Sequence, residues 1–171
     1  MRSSQNLRLF PLIILTGLFL AGGCATKPKT SASEDTLSAN NGQNHGLDFE
    51  LNGDSDSNKA GELKTVYFDF NSSELTSATN TTLNNNAAFL KNNPAVKVQI
   101  EGHCDERGGV QYNLALGEKR AKAAHDYLVA KGVEASRVAT ISYGKERPVA
   151  FGHDEEAWSQ NRRANFVVTA K

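Results

Sequence analysis

Apolar positions divide this 171-residue chain into three regimes. Leu9 to Leu20 is an almost unbroken apolar run of about a dozen residues, short of the roughly 20 that span a bilayer. From Ala25 to about Glu62, apolar residues are sparse among Ser, Thr, Asn, Asp, Gly and Lys. From Lys64 onward, short strand-like runs take turns with stretches of three-and-four spacing. Val66-Tyr67-Phe68-Asp69-Phe70 predicts a short strand. Leu83, Ala87 and Leu90 mark a helix capped by Thr76 or Ser77 and ending before Pro94. Val96 to Ile100 alternates as a second strand. Leu114, Gly117, Ala121, Ala124 and Leu128 form one buried helical stripe, closed by Gly132, which enters the left-handed conformation cheaply. Arg137 to Tyr143 predicts a third strand, Glu155 to about Asn161 a short helix, and Asn165 to Thr169 a last strand. The order βαβαβαβ in about 108 residues predicts one α/β core and no more.

The first regime has the layout of a targeting segment. Arg2 and Arg8 precede the apolar run, and Ala21, Gly22 and Gly23 lead directly into Cys24. Small residues abutting a Cys resemble the lipobox of bacterial lipoproteins, although Ala21 stands where a Leu is usual and Leu20 lies one place earlier. That resemblance implies cleavage before Cys24, thioether diacylation of its sulfur and N-acylation of the new terminus. Ala25, not Asp, follows, which in the lipoprotein sorting pattern implies passage to the outer membrane. The alternative is an ordinary secretory signal cut near Ala21 or Gly23, leaving a free thiol. Residues 1–23 are therefore expected to be a signal peptide, 24–63 a lipidated Cys and disordered tether, and 64–171 the folded domain. Polar composition of this kind buries too little surface to offset its ordering entropy. About 40 such residues reach roughly 35 Å as a coil and on the order of 130 Å when straight.

Charge narrows the partners. The chain carries 19 basic and 19 acidic side chains, and loss of Arg2 and Arg8 with the leader leaves 17 basic ones. Without a basic excess, nucleic acid is not expected as a partner. If Cys24 carries lipid, Cys104 has no partner in the chain, and no disulfide framework is expected.

The segment Glu101 to Ala121, EGHCDERGGVQYNLALGEKRA, holds the candidate chemistry. Strand, polar loop and helix bring a carboxylate, Asp105, and a guanidinium, Arg120, beside one pocket. Such a pair can grip a zwitterion, Asp105 taking an ammonium and Arg120 a carboxylate in a fork; a structural salt bridge or solvated charges would also use these residues. With VYFDFN at Val66 to Asn71 and SYGKERP…GHDEEAWSQNRRANFVV at Ser142 to Val168, the segment resembles the OmpA-like peptidoglycan-binding domain family.

The resemblance covers everything after Lys64 and implies helices packed on a mixed four-stranded sheet, an α+β sandwich. It also implies non-covalent binding of the diaminopimelate side chain of peptidoglycan, with Asp105 and Arg120 at the motif's binding positions. Phe70 and Asn71 approach the same pocket by resemblance, although a strand aromatic is commonly core. Gly108 and Gly109 either bring backbone N–H groups to the ligand or simply make a turn. Tyr112 and Asn113 match the family's YN, with Asn113 expected to cap the second helix. In the NRRA motif, Arg162 is placed at the ligand pocket and Arg163 in surface or core-edge ion pairs. The implied setting is an outer-membrane lipoprotein facing the periplasm. It would link membrane to wall, meet TolB and other Tol proteins, and serve envelope integrity and constriction at division. Another envelope machine, for secretion or motility, is the alternative in the same class.

Catalysis is the competing class. His103 and Cys104 are adjacent, but neighbours on an extended segment point to opposite faces and are poorly placed to hydrogen-bond. His103, His125 and His153 lack metal-ligand spacing, so neither a metal nor any cofactor beyond the lipid on Cys24 is expected. Cys104 departs from the small Ala, Ser or Thr usual in the family. Buried, it acts as a small hydrophobe; exposed, it would form mixed disulfides or serve a periplasmic thiol enzyme.

Overall fold

The computed structural model describes residues 49–171. The predicted signal peptide, the lipidation site Cys24 and most of the predicted tether lie outside the described residues. Strands β1 (Val66–Tyr67), β2 (Lys97–His103), β3 (Val138–Gly144) and β4 (Arg163–Ala170) form one mixed sheet in the order β1-β4-β2-β3. Helices α1 (Ser77–Asn92), α2 (Val110–Ala130) and α3 (Glu155–Asn161) connect them. β4 is antiparallel to both β1 and β2, while β2 and β3 are parallel and joined through α2. The architecture is the α+β sandwich expected, with each helix and strand near its predicted place.

The core lies between the sheet and α1 and α2. Val98 and Ile100 of β2 and Ala164, Phe166 and Val168 of β4 point to that side, as a period of two requires. They meet Leu83, Ala87 and Leu90 of α1 and Ala121, Ala124 and Leu128 of α2. Thr76 caps α1, its Oγ1 accepting from the Thr79 N–H at 3.2 Å. Arg137 closes the other end by donating to the carbonyls of Leu90, Asn93 and Val96. α2 lies unusually close to β2, because a Cβ on Gly102 would fall 1.8 Å from the Gly117 carbonyl oxygen.

Two expectations are corrected. The first strand pairs only at Val66 and Tyr67, not through Phe70. Beyond Tyr67, Arg162 takes over from the ladder: its carbonyl accepts the Phe68 N–H at 2.9 Å, and its Nε donates to the Phe68 carbonyl at 3.0 Å. Phe68 to Asn71 are thereby released to shape a loop.

The second correction concerns order before Lys64. Phe49, Ala60 and Leu63 are buried in the core, and Phe49 meets Phe89 edge-to-face at 5.7 Å. Asn52 to Ser55 hydrogen-bond along β4 at Phe166 and Val168, past the point where β1 stops. The segment thus covers an edge that a two-residue β1 would leave open. Its mean polarity hid this, since three small or apolar anchors and turns at Asn52, Asn58 and Gly61, all with positive φ, suffice to seat it.

Candidate functional site

Three pieces of backbone converge beyond the ends of β1 and β2. The loop after β1 brings Phe70 and Asn71, the loop after β2 brings Asp105, Arg107 and Gly108, and the first three turns of α2 bring Tyr112, Asn113, Leu116 and Arg120. Together they line a cleft of about 230 Å³. Asn71 sits in the left-handed region with φ of 54°, which Asn tolerates better than most residues, and its Oδ1 accepts from the Tyr112 hydroxyl. Gly108, with φ of 85°, makes the turn back into α2. Lys145 Nζ steadies that turn by donating to the carbonyls of Glu106 at 3.0 Å and Gly108 at 2.7 Å.

Arg120 lies at the base of the cleft with no exposed surface. Gly117, one turn earlier, lets α2 approach β2 closely enough for this long side chain to reach across. Its Nε donates to Ser72 O at 2.8 Å, Nη1 to His103 O at 2.8 Å and Nη2 to Asp69 O at 3.0 Å. It therefore pins the loop after β1 to the end of β2. All three partners are neutral carbonyls, and no carboxylate of the described residues forms an ion pair with it. Burial pulls its pKa down. Two of the five guanidinium N–H bonds, one on each Nη, remain beyond these contacts.

Asp105 is on the same cleft, with its side chain 5% exposed. It does not pair with Arg120. Its carboxylate takes a fork from Arg107, Nε to Oδ1 at 3.1 Å and Nη2 to Oδ2 at 2.6 Å, and Oδ1 also accepts the Arg107 backbone N–H at 3.1 Å. Arg162 Nη1 stands 3.5 Å from Oδ2. Burial pushes the Asp105 carboxyl up, but the Arg107 and Arg162 contacts together outweigh it and hold the group below its ordinary value.

Five of the residues expected at the ligand line the cleft: Asp105, Arg120, Phe70, Asn71 and Gly108. Phe70 is a rim aromatic, 58% exposed, not core. Gly109 is instead the N-cap of α2. Arg162 stands behind Asp105, with its Nε on Phe68 O and its Nη2 2.5 Å from Glu155 Oε1, and faces a neighbouring groove. Asn113 does not cap α2. It lies within the first turn and donates from Nδ2 to Arg107 O at 2.8 Å, holding the charged loop. Arg163 forms a buried pair with Asp56, Nε to Oδ2 at 2.7 Å.

Sequence reasoning missed Arg107 and Trp158. The rings of Phe70 and Trp158 each lie 4.0 Å from the Arg107 Cζ. Arg107 stands in the same triplet as Asp105, and Trp158 is the chain's one Trp, so both carried a weak signal.

The tempting His103–Cys104 dyad does not form. Cys104 is buried, its Sγ 3.3 Å from the Asn113 carbonyl, and burial pushes its thiol pKa up, away from the nucleophilic form. Both ring nitrogens of His103 lack a hydrogen-bond partner, and Glu101 Oε2 stands 3.6 Å from its Nε2. No group of three His, Cys, Asp or Glu among the described residues is arranged to hold a metal.

Comparison with known proteins matches residues 67–162 to the OmpA family. The peptidoglycan-associated lipoprotein of Haemophilus influenzae is 41% identical over 86% of this chain and 93% of its own length. That of Pseudomonas aeruginosa is 42% identical over 86% and 89%. Among solved structures, the peptidoglycan-associated lipoprotein of Burkholderia pseudomallei is 46% identical, covering 61% of this chain and 88% of that one with a TM-score of 0.59. The C-terminal domain of Helicobacter pylori MotB, 18% identical with a TM-score of 0.59 over 63% and 85%, shares the fold alone.

Proposed function

The chain belongs to the OmpA family and, within it, to the peptidoglycan-associated lipoproteins, and on that premise we propose that it grips the free zwitterionic end of diaminopimelate in the peptidoglycan stem peptide. The observation that carries this reading is Arg120, a buried guanidinium with only neutral partners, on one cleft with the Asp105 carboxylate. A buried charge without a counter-ion is costly. A ligand carboxylate supplies that counter-ion, and the ammonium on the same carbon turns to Asp105. Both ligand charges are then met by opposite ones.

Each charge-assisted hydrogen bond contributes about 1.5–3 kcal/mol net, so a few of them, less the ordering cost, give modest affinity per site. Many copies anchored through lipid on Cys24 and facing a repeating polymer hold firmly by avidity. The chain would then tie outer membrane to wall from the periplasmic side. We place it with TolB and the other Tol proteins in envelope integrity and constriction, as a binding protein and not an enzyme. Co-purification of TolB separates this setting from another envelope machine.

The test is calorimetric titration of a diaminopimelate-containing muropeptide into the mature chain. Asp105→Asn should lower affinity at least tenfold, and amidating the free carboxylate of diaminopimelate should weaken binding comparably. Unchanged affinity in both arms would sink the assignment.

A further inference from the structure

Asp105 is already fully engaged. Oδ1 accepts from the Arg107 backbone N–H and Nε, while Oδ2 accepts from Arg107 Nη2 at 2.6 Å and faces Arg162 Nη1 at 3.5 Å. An incoming ammonium needs two or three acceptors, and here it finds the carboxylate forked by a guanidinium. That guanidinium also has two aromatic rings against it, Phe70 and Trp158, and a second carboxylate, Glu155, 3.9 Å from Nη2. Two acids and two ring faces make a slot built for a cation. In this structure the chain itself fills it.

We propose that Arg107 is the resident occupant of the ammonium subsite and that a zwitterionic ligand binds by exchange, displacing the Arg107 side chain from Asp105. The inference rests on the zwitterion reading above and adds to it a residue which sets the threshold for binding.

Three guanidinium groups meet around this site, and only one is free to leave. Arg120 is locked by three main-chain carbonyls, and Arg162 by Phe68 O and Glu155. The Arg107 side chain donates to no main-chain group and is 30% exposed, so it can swing into water. Its backbone N–H stays on Asp105 Oδ1 whatever the side chain does. The slot outlasts the exchange, because Trp158 Nε1 is held independently by Glu106 Oε1 at 2.9 Å. Exchange also leaves Asp105 paired with a cation in both end states, Arg107 before and the ligand ammonium after.

Selectivity follows from what each ligand brings. A plain amine replaces one cation by another on Asp105 and gains little. A zwitterion recovers the cost of displacement by placing its carboxylate on Arg120. The apparent affinity is the intrinsic affinity reduced by the open fraction of sites.

The experiment titrates the same muropeptide into the mature chain carrying Arg107→Gln, Arg107→Ala or Arg107→Lys, with Asp105→Asn alongside and thermal unfolding to confirm that each variant is folded. Arg107→Gln and Arg107→Ala should bind about tenfold tighter than wild type, a gain of about 1.4 kcal/mol. Arg107→Lys, which keeps a cation on Asp105 but loses the fork, should fall between. A muropeptide whose terminal ammonium is acetylated should show no gain with any Arg107 variant. Equal or weaker binding by folded Arg107→Gln and Arg107→Ala, with binding still lost in Asp105→Asn, would overturn the exchange while leaving the zwitterion site standing. Normal binding by Asp105→Asn would instead remove the reading beneath it.

Discussion

Asp105 is a buried carboxylate kept ionised by its neighbours. Its folded-state pKa lies below the ordinary value, as the Arg107 and Arg162 contacts outweigh the upward push of burial. A depressed carboxylate contributes stability that is fully present above the unfolded pKa, about 3.9, and is lost as pH falls through the folded value. Thermal unfolding midpoints of wild type and Asp105→Asn should therefore converge on acidification from pH 7 to pH 3, with wild type losing more. A constant gap would mean that the carboxylate is not stabilised by its neighbours. Arg120 is a poorer residue on which to separate binding from folding. Arg120→Ala would orphan the carbonyls of Asp69, Ser72 and His103, so any loss of binding would be mixed with loss of the loop.

At the scale of elements, the site depends on how closely α2 approaches β2. Gly102 and Gly117 face each other with no room for a methyl group, and a Cβ on Gly117 would also come 2.3 Å from Ser142 Oγ. Gly102→Ala should force the helix outward and cost about 3 kcal/mol in chemical denaturation. It should also weaken muropeptide binding, since Arg120 rides on the displaced helix. Stability within 0.5 kcal/mol of wild type would show that the backbone absorbs the methyl group, within the spread of ordinary surface changes. The periodicity of the α2 stripe was legible in the sequence because helical spacing is local. The facing of Gly102 against Gly117 was not, because nothing in either segment says which glycine meets which.

For the whole molecule, packed structure reaches back to Phe49, which shortens the predicted tether. Residues 25–48 would separate Cys24 from the domain and span at most about 85 Å fully extended. The reach of the proposed anchor is correspondingly less than a tether ending at residue 63 would allow. Three acyl chains on Cys24, the anchor proposed above, would make attachment effectively permanent, one chain alone being marginal. Cys24→Ser should remove the protein from the outer-membrane fraction on density-gradient separation. An unchanged distribution would refute the lipid anchor.

Local pattern by itself determined the order of elements, a first-helix start at Thr76 or Ser77, and the left-handed Gly132 that ends α2. The motif resemblance singled out Asp105, Arg120, Phe70, Asn71 and Gly108, five residues that the fold gathers at one cleft. These features rest on spacing of a few residues or on motifs carried intact. Only the tertiary structure decided the partners. Asp105 is joined to Arg107 instead of Arg120, Arg120 to three carbonyls from one loop and the end of β2, and Trp158 to a cation 51 residues earlier in the chain. Charges find partners by distance in space, and a guanidinium on a long flexible side chain can reach several. Which one it takes is settled by what else is packed around it.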